Sequence, residues 1–347
     1  MENRPAVRYI LILLGEMIET LKVGMISGWH VHADGYARQI INSGKAIISA
    51  VWDEEHQRGA DRADAYKAEF IPDYDAFLAR ADIDAVVCCS PTTMHVELLE
   101  KAVAVRKHIF TEKVLAVSAA DSEKLSGMID ASGIIFVISL PLLSDSKILY
   151  VKKLIDSGRL GRITGARMRR SHSGVSDRWL PDYWFDVSKT GGGAMLDLGA
   201  HPVYILPFLL GQPKRVSGMM TSPYGTSSDE NAIAVLEYEN GALAVCETAF
   251  VTYGTPDLLE VYGTEGSVFI HGNRTLLSQK GLAELGVTEI EPSQFPETEP
   301  SPALQFIEAC VNRTAAPAKF GTAAALSMSR IMEAAYISQQ SGAVVQL

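Results

Sequence analysis

The segment Gly191-Gly-Gly-Ala-Met-Leu-Asp197-Leu-Gly-Ala-His201 joins three glycines to an apolar run carrying an acid and, four residues on, a histidine. In a helix, positions four apart share a face, so Asp197 and His201 are expected to point the same way. Consecutive glycines let a backbone approach a ligand closely. Lys113 supplies a third group, after the apolar run His108-Ile-Phe-Thr111 and Glu112. A lysine, a histidine and a carboxylate suit proton transfer at a hydroxyl-bearing carbon. His201 would take the alcohol proton as hydride leaves, with Asp197 orienting it or binding the substrate. Lys113 would stabilise the developing alkoxide, and Glu112 would orient the ammonium. The hydride acceptor must be a cofactor, because no side chain performs that step. Taken singly, these groups also read as a surface lysine, a packed helix histidine and a solvated acid, and D-x-x-x-H could be two metal ligands. Their placement at strand and helix ends facing one cleft is what favours the catalytic reading.

The elements that would place them follow from the pattern of apolar runs. Lys22–Ile26, Ala46–Val51, Asp84–Cys89, His108–Thr111 and Gly133–Ile138 read as buried strands alternating with helices. That alternation means a parallel sheet covered on both faces. Ligands of such sheets sit beyond the carboxyl ends of the strands. Those ends hold Ser27, Gly28, Trp29, His30 and His32; Asp53; Ser90, Pro91 and Thr92; and Glu112 with Lys113. Asp53 can accept both hydroxyls of an adenosine ribose, and with Glu54 it repels a 2′-phosphate, so NAD is expected over NADP; the plainer reading is a solvated acid. The first turn departs from the G-x-G-x-x-G fingerprint: its three places hold Ser27, Trp29 and His32. Ser27 and Gly28 could still bring backbone amides near a pyrophosphate. From Arg215 onward, strands joined by turns such as Glu239-Asn240-Gly241 imply a largely antiparallel sheet with α+β organisation. The Gly191 segment is expected to open one helix running to about Leu210. Domain limits follow: an extension over 1–21, a dinucleotide domain over 22–140 and a substrate domain over 141–347.

The chain has 347 residues, 47% hydrophobic and 21% charged, with net charge −10. Acidic charge without a basic block argues against nucleic acid and anionic membranes as partners. Cys88, Cys89, Cys246 and Cys310 lack metal-ligand spacing and read as buried thiols, in keeping with a reducing cytoplasm. No metal is expected. His172, Arg178, Trp179, Tyr183 and Trp184 offer donors and flat apolar faces for a hydroxylated ring.

Asp84-Ala-Val-Val, Pro91-Thr-Thr-Met-His95, Lys107-His-Ile-Phe-Thr-Glu-Lys113 and the Gly191–His201 segment together resemble the glucose–fructose oxidoreductase, inositol dehydrogenase and MocA family, from about Lys22 to the end. The resemblance implies an N-terminal Rossmann domain, doubly wound, and a C-terminal domain with an open-faced sheet. It implies NAD(P)-dependent oxidation or reduction of a sugar, inositol or polyol, with Lys113, Asp197 and His201 as the catalytic set. It places Pro91, His95 and Glu112 at the cofactor and implies homodimers or homotetramers through the large sheet. Val114 stands where the family has proline, Arg106 where it has glycine and Tyr204 where it often has aspartate. A non-proline cis peptide costs about 3 kcal/mol, so Lys113–Val114 is expected trans, with Lys113 displaced. Two alternatives compete: a redox-silent protein keeping the fold, and a metal-dependent hydrolase suggested by His30-Val-His32.

Overall fold

The computed structural model describes residues 20–281 and 286–347; the expected N-terminal extension lies almost wholly outside them. Six strands form the first sheet: β1 (Leu21–Ile26), β2 (Ala46–Trp52), β3 (Glu69–Phe70), β4 (Ala85–Cys88), β5 (His108–Thr111) and β6 (Phe136–Ile138). Their order is β3-β2-β1-β4-β5-β6 and every pairing is parallel. The order reverses between β1 and β4, which opens a crevice at their carboxyl ends. Continuous apolar runs make these strands: all four residues of β4 and all three of β6 are buried. Helices α1 (Ala33–Asn42), α2 (His56–Tyr66), α3 (Tyr74–Leu78), α4 (His95–Ala104) and α5 (Ala119–Ser132) connect them. Among the described residues no single helix is long and apolar enough to cross a membrane.

After α6 (Ser146–Asp156) comes the second sheet. Its strands are β7 (Ile163–Ser171), β8 (Arg215–Thr221), β9 (Asn231–Glu237), β10 (Leu243–Ala249), β11 (Leu258–Gly263), β12 (Gly266–His271), β13 (Arg274–Gln279), β14 (Thr288–Glu289) and β15 (Val345–Gln346). The order is β14-β13-β12-β11-β7-β10-β9-β8-β15, antiparallel except for β7 beside β10. This sheet excludes a βα barrel, and with it the hydrolase that His30-Val-His32 suggested. Alternation sorts its faces: Ala232, Ala234 and Leu236 of β9 are buried, while Ile233 points outward.

Between β7 and β8 lie α7 (Val187–Thr190), α8 (Ala194–Asp197) and α9 (Ala200–Leu210). The single helix expected from Gly191 to Leu210 is therefore broken after Asp197. A side chain at Gly199 would meet the Met195 carbonyl oxygen at 2.3 Å, so the tight step between the helices requires glycine. Two C-terminal helices, α10 (Pro302–Asn312) and α11 (Thr322–Ser341), finish the chain. Helix α10 returns to the first sheet, where Phe306 meets Phe110 at 5.9 Å between ring centres. Helix α11 covers the inner face of the second sheet at β8, and Gly218 donates to Ser338 at 3.0 Å.

Candidate active site

Lys113 stands two residues past the end of β5, and Asp197 ends α8. They meet across the crevice: Lys113 Nζ donates to the Asp197 carbonyl at 2.8 Å and pairs with its carboxylate. Lys113 is 6% exposed. Burial pushes the Asp197 carboxyl up, but the ammonium of Lys113 outweighs this and lowers it to about 2. The other carboxylate oxygen accepts the indole N–H of Trp184 at 3.2 Å. Asp197 therefore orients Lys113, not His201. Glu112 does not orient the ammonium either; it accepts the backbone N–H of Lys113 at 3.0 Å. The Lys113–Val114 peptide is cis, against the trans bond expected, and Lys113 is not displaced. Val114 is buried and its carbonyl meets His95 Nδ1 at 2.9 Å, so neighbouring side chains hold this segment where proline is missing.

His201 opens α9 and lies on the same cavity wall. Its Nδ1 is 2.8 Å from the Tyr204 hydroxyl, which accepts the Leu142 amide at 3.3 Å. Burial, reinforced by the charges of Arg170 and Lys113, holds His201 well below the ordinary histidine value. Burial likewise raises the Tyr204 hydroxyl, so it keeps its proton. That proton has one acceptor, His201 Nδ1, since an unpaired buried hydroxyl is costly. Neutral His201 then carries its own proton on Nε2 and presents a hydrogen-bond donor. This replaces the expectation that His201 arrives ready to take a proton.

A cavity of about 410 Å³ joins His30, Lys113, Arg170, His172, Asp197 and His201. Trp184 and Trp179 add apolar walls. His172 stacks on Phe250 with centres 5.0 Å apart, and burial lowers it too. Arg178 is exposed and lines no part of this cavity. Arg170 does, and the sequence reading missed it. The signal was present: Arg170 shares the strand parity of Ala166 and Met168, so it sits on the buried face of β7. A larger cavity of about 1100 Å³ opens at the amino ends of β1, β4 and β5, beside Asp84 and His108. We assign the site to the smaller one, where a lysine, an arginine, a carboxylate and four histidines converge.

The triple glycine serves a different purpose from the one expected. A side chain at Gly193 would meet the Asp229 carbonyl oxygen at 2.1 Å. Asp229 takes the amides of Gly193 at 2.8 Å and Met195 at 2.7 Å, capping α8. The close approach is thus to another part of the chain, and it fixes Asp197 at the helix end.

At the first turn, Ser27 adopts a left-handed backbone at φ 65°. The local amides are spoken for: Gly28 donates to Asp53 at 2.7 Å, Trp29 to the Ser27 hydroxyl at 3.0 Å and His30 to the Cys89 carbonyl at 2.9 Å. Asp53 is buried, and it also accepts Arg58 at 2.6 and 3.0 Å. Trp29 stacks on Trp184 of the second domain, rings 4.9 Å apart and 6° from parallel. Only about 30 Å³ of space remains beside them, bordered by Thr92, Lys113 and Gly192. Ser90 and Pro91 are buried behind Thr92. His95 is fully buried between the carbonyls of Ser90 and Val114 and lines neither the 410 Å³ cavity nor the 30 Å³ space. It braces the site rather than touching a ligand.

Fold and site together define a two-domain α/β oxidoreductase. A model described as "Oxidoreductase family, NAD-binding Rossmann fold" matches residues 21–139, and one described as "GFO/IDH/MocA C-terminal domain" matches 148–269. The chain belongs to the Gfo/Idh/MocA oxidoreductase family, and its first domain is the family's NAD-binding Rossmann domain. It is 27% identical to inositol 2-dehydrogenase of Rhizobium meliloti over 262 residues, 74% of this chain and 77% of that one. It is 31% identical to scyllo-inositol 2-dehydrogenase (NAD(+)) of Bacillus subtilis over 211 residues, 57% of this chain and 59% of that one. The fold matches levoglucosan dehydrogenase in complex with NADH and levoglucosan, with TM-score 0.83 and 19% identity over 94% of this chain and 99% of that one.

A nicotinamide dinucleotide suits the reacting end, where Lys113 stands, better than the ribose end: Asp53 follows β2, but its carboxylate is buried and already accepts the Gly28 and Glu55 amides and Arg58. At the turn between them, Trp29 stands at the place of the fingerprint's second glycine and its indole stacks on Trp184, which narrows the approach to the turn's backbone.

Proposed function

We propose that the protein interconverts a hydroxyl and a keto carbon on a sugar, inositol or similar polyol, using NAD. The observation that carries this is the buried Lys113–Asp197 pair spanning the two domains at a cavity with neutral His201. The dinucleotide, when bound, supplies or accepts the hydride. His201 donates a hydrogen bond from Nε2 to the reacting oxygen, as a neutral imidazole polarises a carbonyl. Lys113 gives its proton to that oxygen as negative charge develops there, and takes it back in the reverse direction. Asp197 holds the ammonium in place, and the Trp184 N–H fixes Asp197. Arg170 and His172 offer donors to further hydroxyls.

NAD is favoured over NADP because Arg58 is committed to Asp53 and Glu54, leaving a net negative rim where a 2′-phosphate would sit. The four buried free thiols support a reducing compartment such as the cytoplasm. The open outer face of the second sheet supports a homodimer or homotetramer.

The test is a panel of inositols, aldoses and ketoses with NAD, read by absorbance of the reduced cofactor, beside calorimetric titration of NAD and NADP. Turnover with at least one polyol and tighter binding of NAD support the reading. No binding of either dinucleotide at millimolar concentration overturns it. Lys113→Ala should lower kcat by at least about a thousandfold, from lost proton transfer and charge stabilisation together, with NAD affinity within a few fold of the parent. Unchanged kcat removes Lys113 from the mechanism.

A further inference from the structure

Two histidines and a glutamate that the redox chemistry does not use converge at the cavity wall. His30 and His32 lie in the turn before α1, and Glu112 lies at the end of β5. His32 Nδ1 is 2.8 Å and His30 Nδ1 is 3.6 Å from the same oxygen, Glu112 Oε1. The three ligand atoms all lie within 4.8 Å of one another, and among the described residues no other group of three metal-ligating side chains is drawn together in this way. Two ligands about 2.1 Å from one ion stand roughly 3.0–3.4 Å apart, and the 2.8 and 3.6 Å separations fall on either side of that range.

We propose that His30, His32 and Glu112 form a site for a divalent first-row transition metal in the wall of the substrate cavity. Two imidazoles with one carboxylate are a ligand set that leaves coordination positions open. The lone pairs are at hand. His30 Nδ1 accepts only the His32 backbone amide, at 3.2 Å, so it is the unprotonated nitrogen. The proton shared between His32 Nδ1 and Glu112 passes to His32 Nε2, on a side chain 52% exposed to solvent. The carboxylate is held at both oxygens. Tyr36 donates to Oε1 and also meets Ser139 at 2.7 Å, while the Lys113 amide holds Oε2 at 3.0 Å. Such outer partners orient metal ligands and tune their affinity.

His30 and His32 both line the 410 Å³ cavity that Lys113 and His201 share. An open position on the ion therefore faces the space assigned to substrate, where it would take a hydroxyl or keto oxygen. That last assignment rests on the polyol reading; the metal site itself does not. The ion would act as a Lewis acid, accepting an oxygen lone pair with no change in its own oxidation state.

The experiment is calorimetric titration of the full chain, freed of any affinity tag, with Zn²⁺ alone. Co²⁺ loading, followed by visible absorption, reports the ligand geometry. One Zn²⁺ per chain at micromolar affinity or tighter is expected. Glu112→Gln and His32→Ala should each weaken it at least tenfold and change the Co²⁺ spectrum. His32 is half-exposed, so its variant keeps the fold even where a change at buried Glu112 does not. No Zn²⁺ uptake by the parent protein, or uptake unchanged in His32→Ala, overturns the proposal. Because no dinucleotide or polyol is present, this outcome is separate from the fate of the redox reading: metal uptake without NAD binding sinks only the latter, and NAD turnover without metal uptake sinks only the former.

Discussion

Tyr204 holds the key to how His201 behaves. The groups facing His201 are Tyr204 on its own helix, Arg170 from β7, Lys113 and Glu112 from the end of β5, and Asp197 from α8. Burial and the two cations already favour the neutral ring. The Tyr204 hydroxyl adds to this by donating to Nδ1, a bond that exists only while Nδ1 is unprotonated. For the parent protein, the acid limb of kcat/KM should therefore fall below 6.5, the ordinary histidine value. Tyr204→Phe removes the bond, so protonation of His201 becomes easier and the limb should move up, with kcat lowered by about tenfold. A pH–rate profile of both proteins checks this; coincident limbs would show that Tyr204 does not set the state of His201. At this scale, the residue types and spacing did reveal which side chains meet: Lys113, Asp197 and His201 share one cavity. The sequence did not reveal who pairs with whom. Asp197 and His201 are four apart, but the helix breaks at Gly199, and the nearest cation to Asp197 comes from the other domain. Arg170 was hidden in a run of basic residues that only strand parity separates.

Trp29 is the feature of the first βα turn that most affects how ligands enter. It replaces a fingerprint glycine, and its ring packs with Val175, Trp184, Ala194 and Phe250 in a small apolar cluster. A stacked aromatic pair is worth about 0.5–1.5 kcal/mol beyond its buried area, which a dinucleotide must overcome to part the stack. Trp29→Gly removes that barrier and restores close backbone approach, so NAD should bind about tenfold more tightly. Calorimetry checks this, and weaker binding would show that the indole is itself a dinucleotide contact. The elements around the turn were legible because each strand of the first sheet other than β3 is a mainly apolar run with polar residues soon after it. The short β3, β14 and β15 were not, since two residues carry no period. Strand β13 was missed although Thr275 and Leu277 alternate as buried residues with more open neighbours. The parallel contact of β7 with β10 also had no local sign, because it joins strands separated by three helices and two strands.

At the scale of the whole molecule, one face of the second sheet is left uncovered among the described residues. Helices α9 and α11 pack on the inner face, while the outer face presents Ile233 at 44%, Leu243 at 50% and Met219 at 72% exposure. Seven strands of this sheet have six to nine residues. At about 4.8 Å between strands and 3.4 Å per residue, they span roughly 34 by 20 Å, or about 700 Å². That is close to the ~800 Å² each partner gives to a stable interface. The face is also self-complementary in charge: Glu247 pairs with Arg167 at 2.7 Å and lies 3.8 Å from Arg169, with Val235 and Val245 beside them. A two-fold axis through this face would bury the apolar residues and keep each ion pair in place. Ile233→Lys tests this with little cost to one chain, because the new ammonium faces water and has Glu247 across the strand pair. In an oligomer the same lysine is driven into the interface, where taking its charge out of water costs several kcal/mol. Light scattering after size-exclusion chromatography should find the parent as a dimer or tetramer and the variant as a folded monomer at micromolar concentration. A monomeric parent, or a variant that assembles as the parent does, would place the contact elsewhere or remove it.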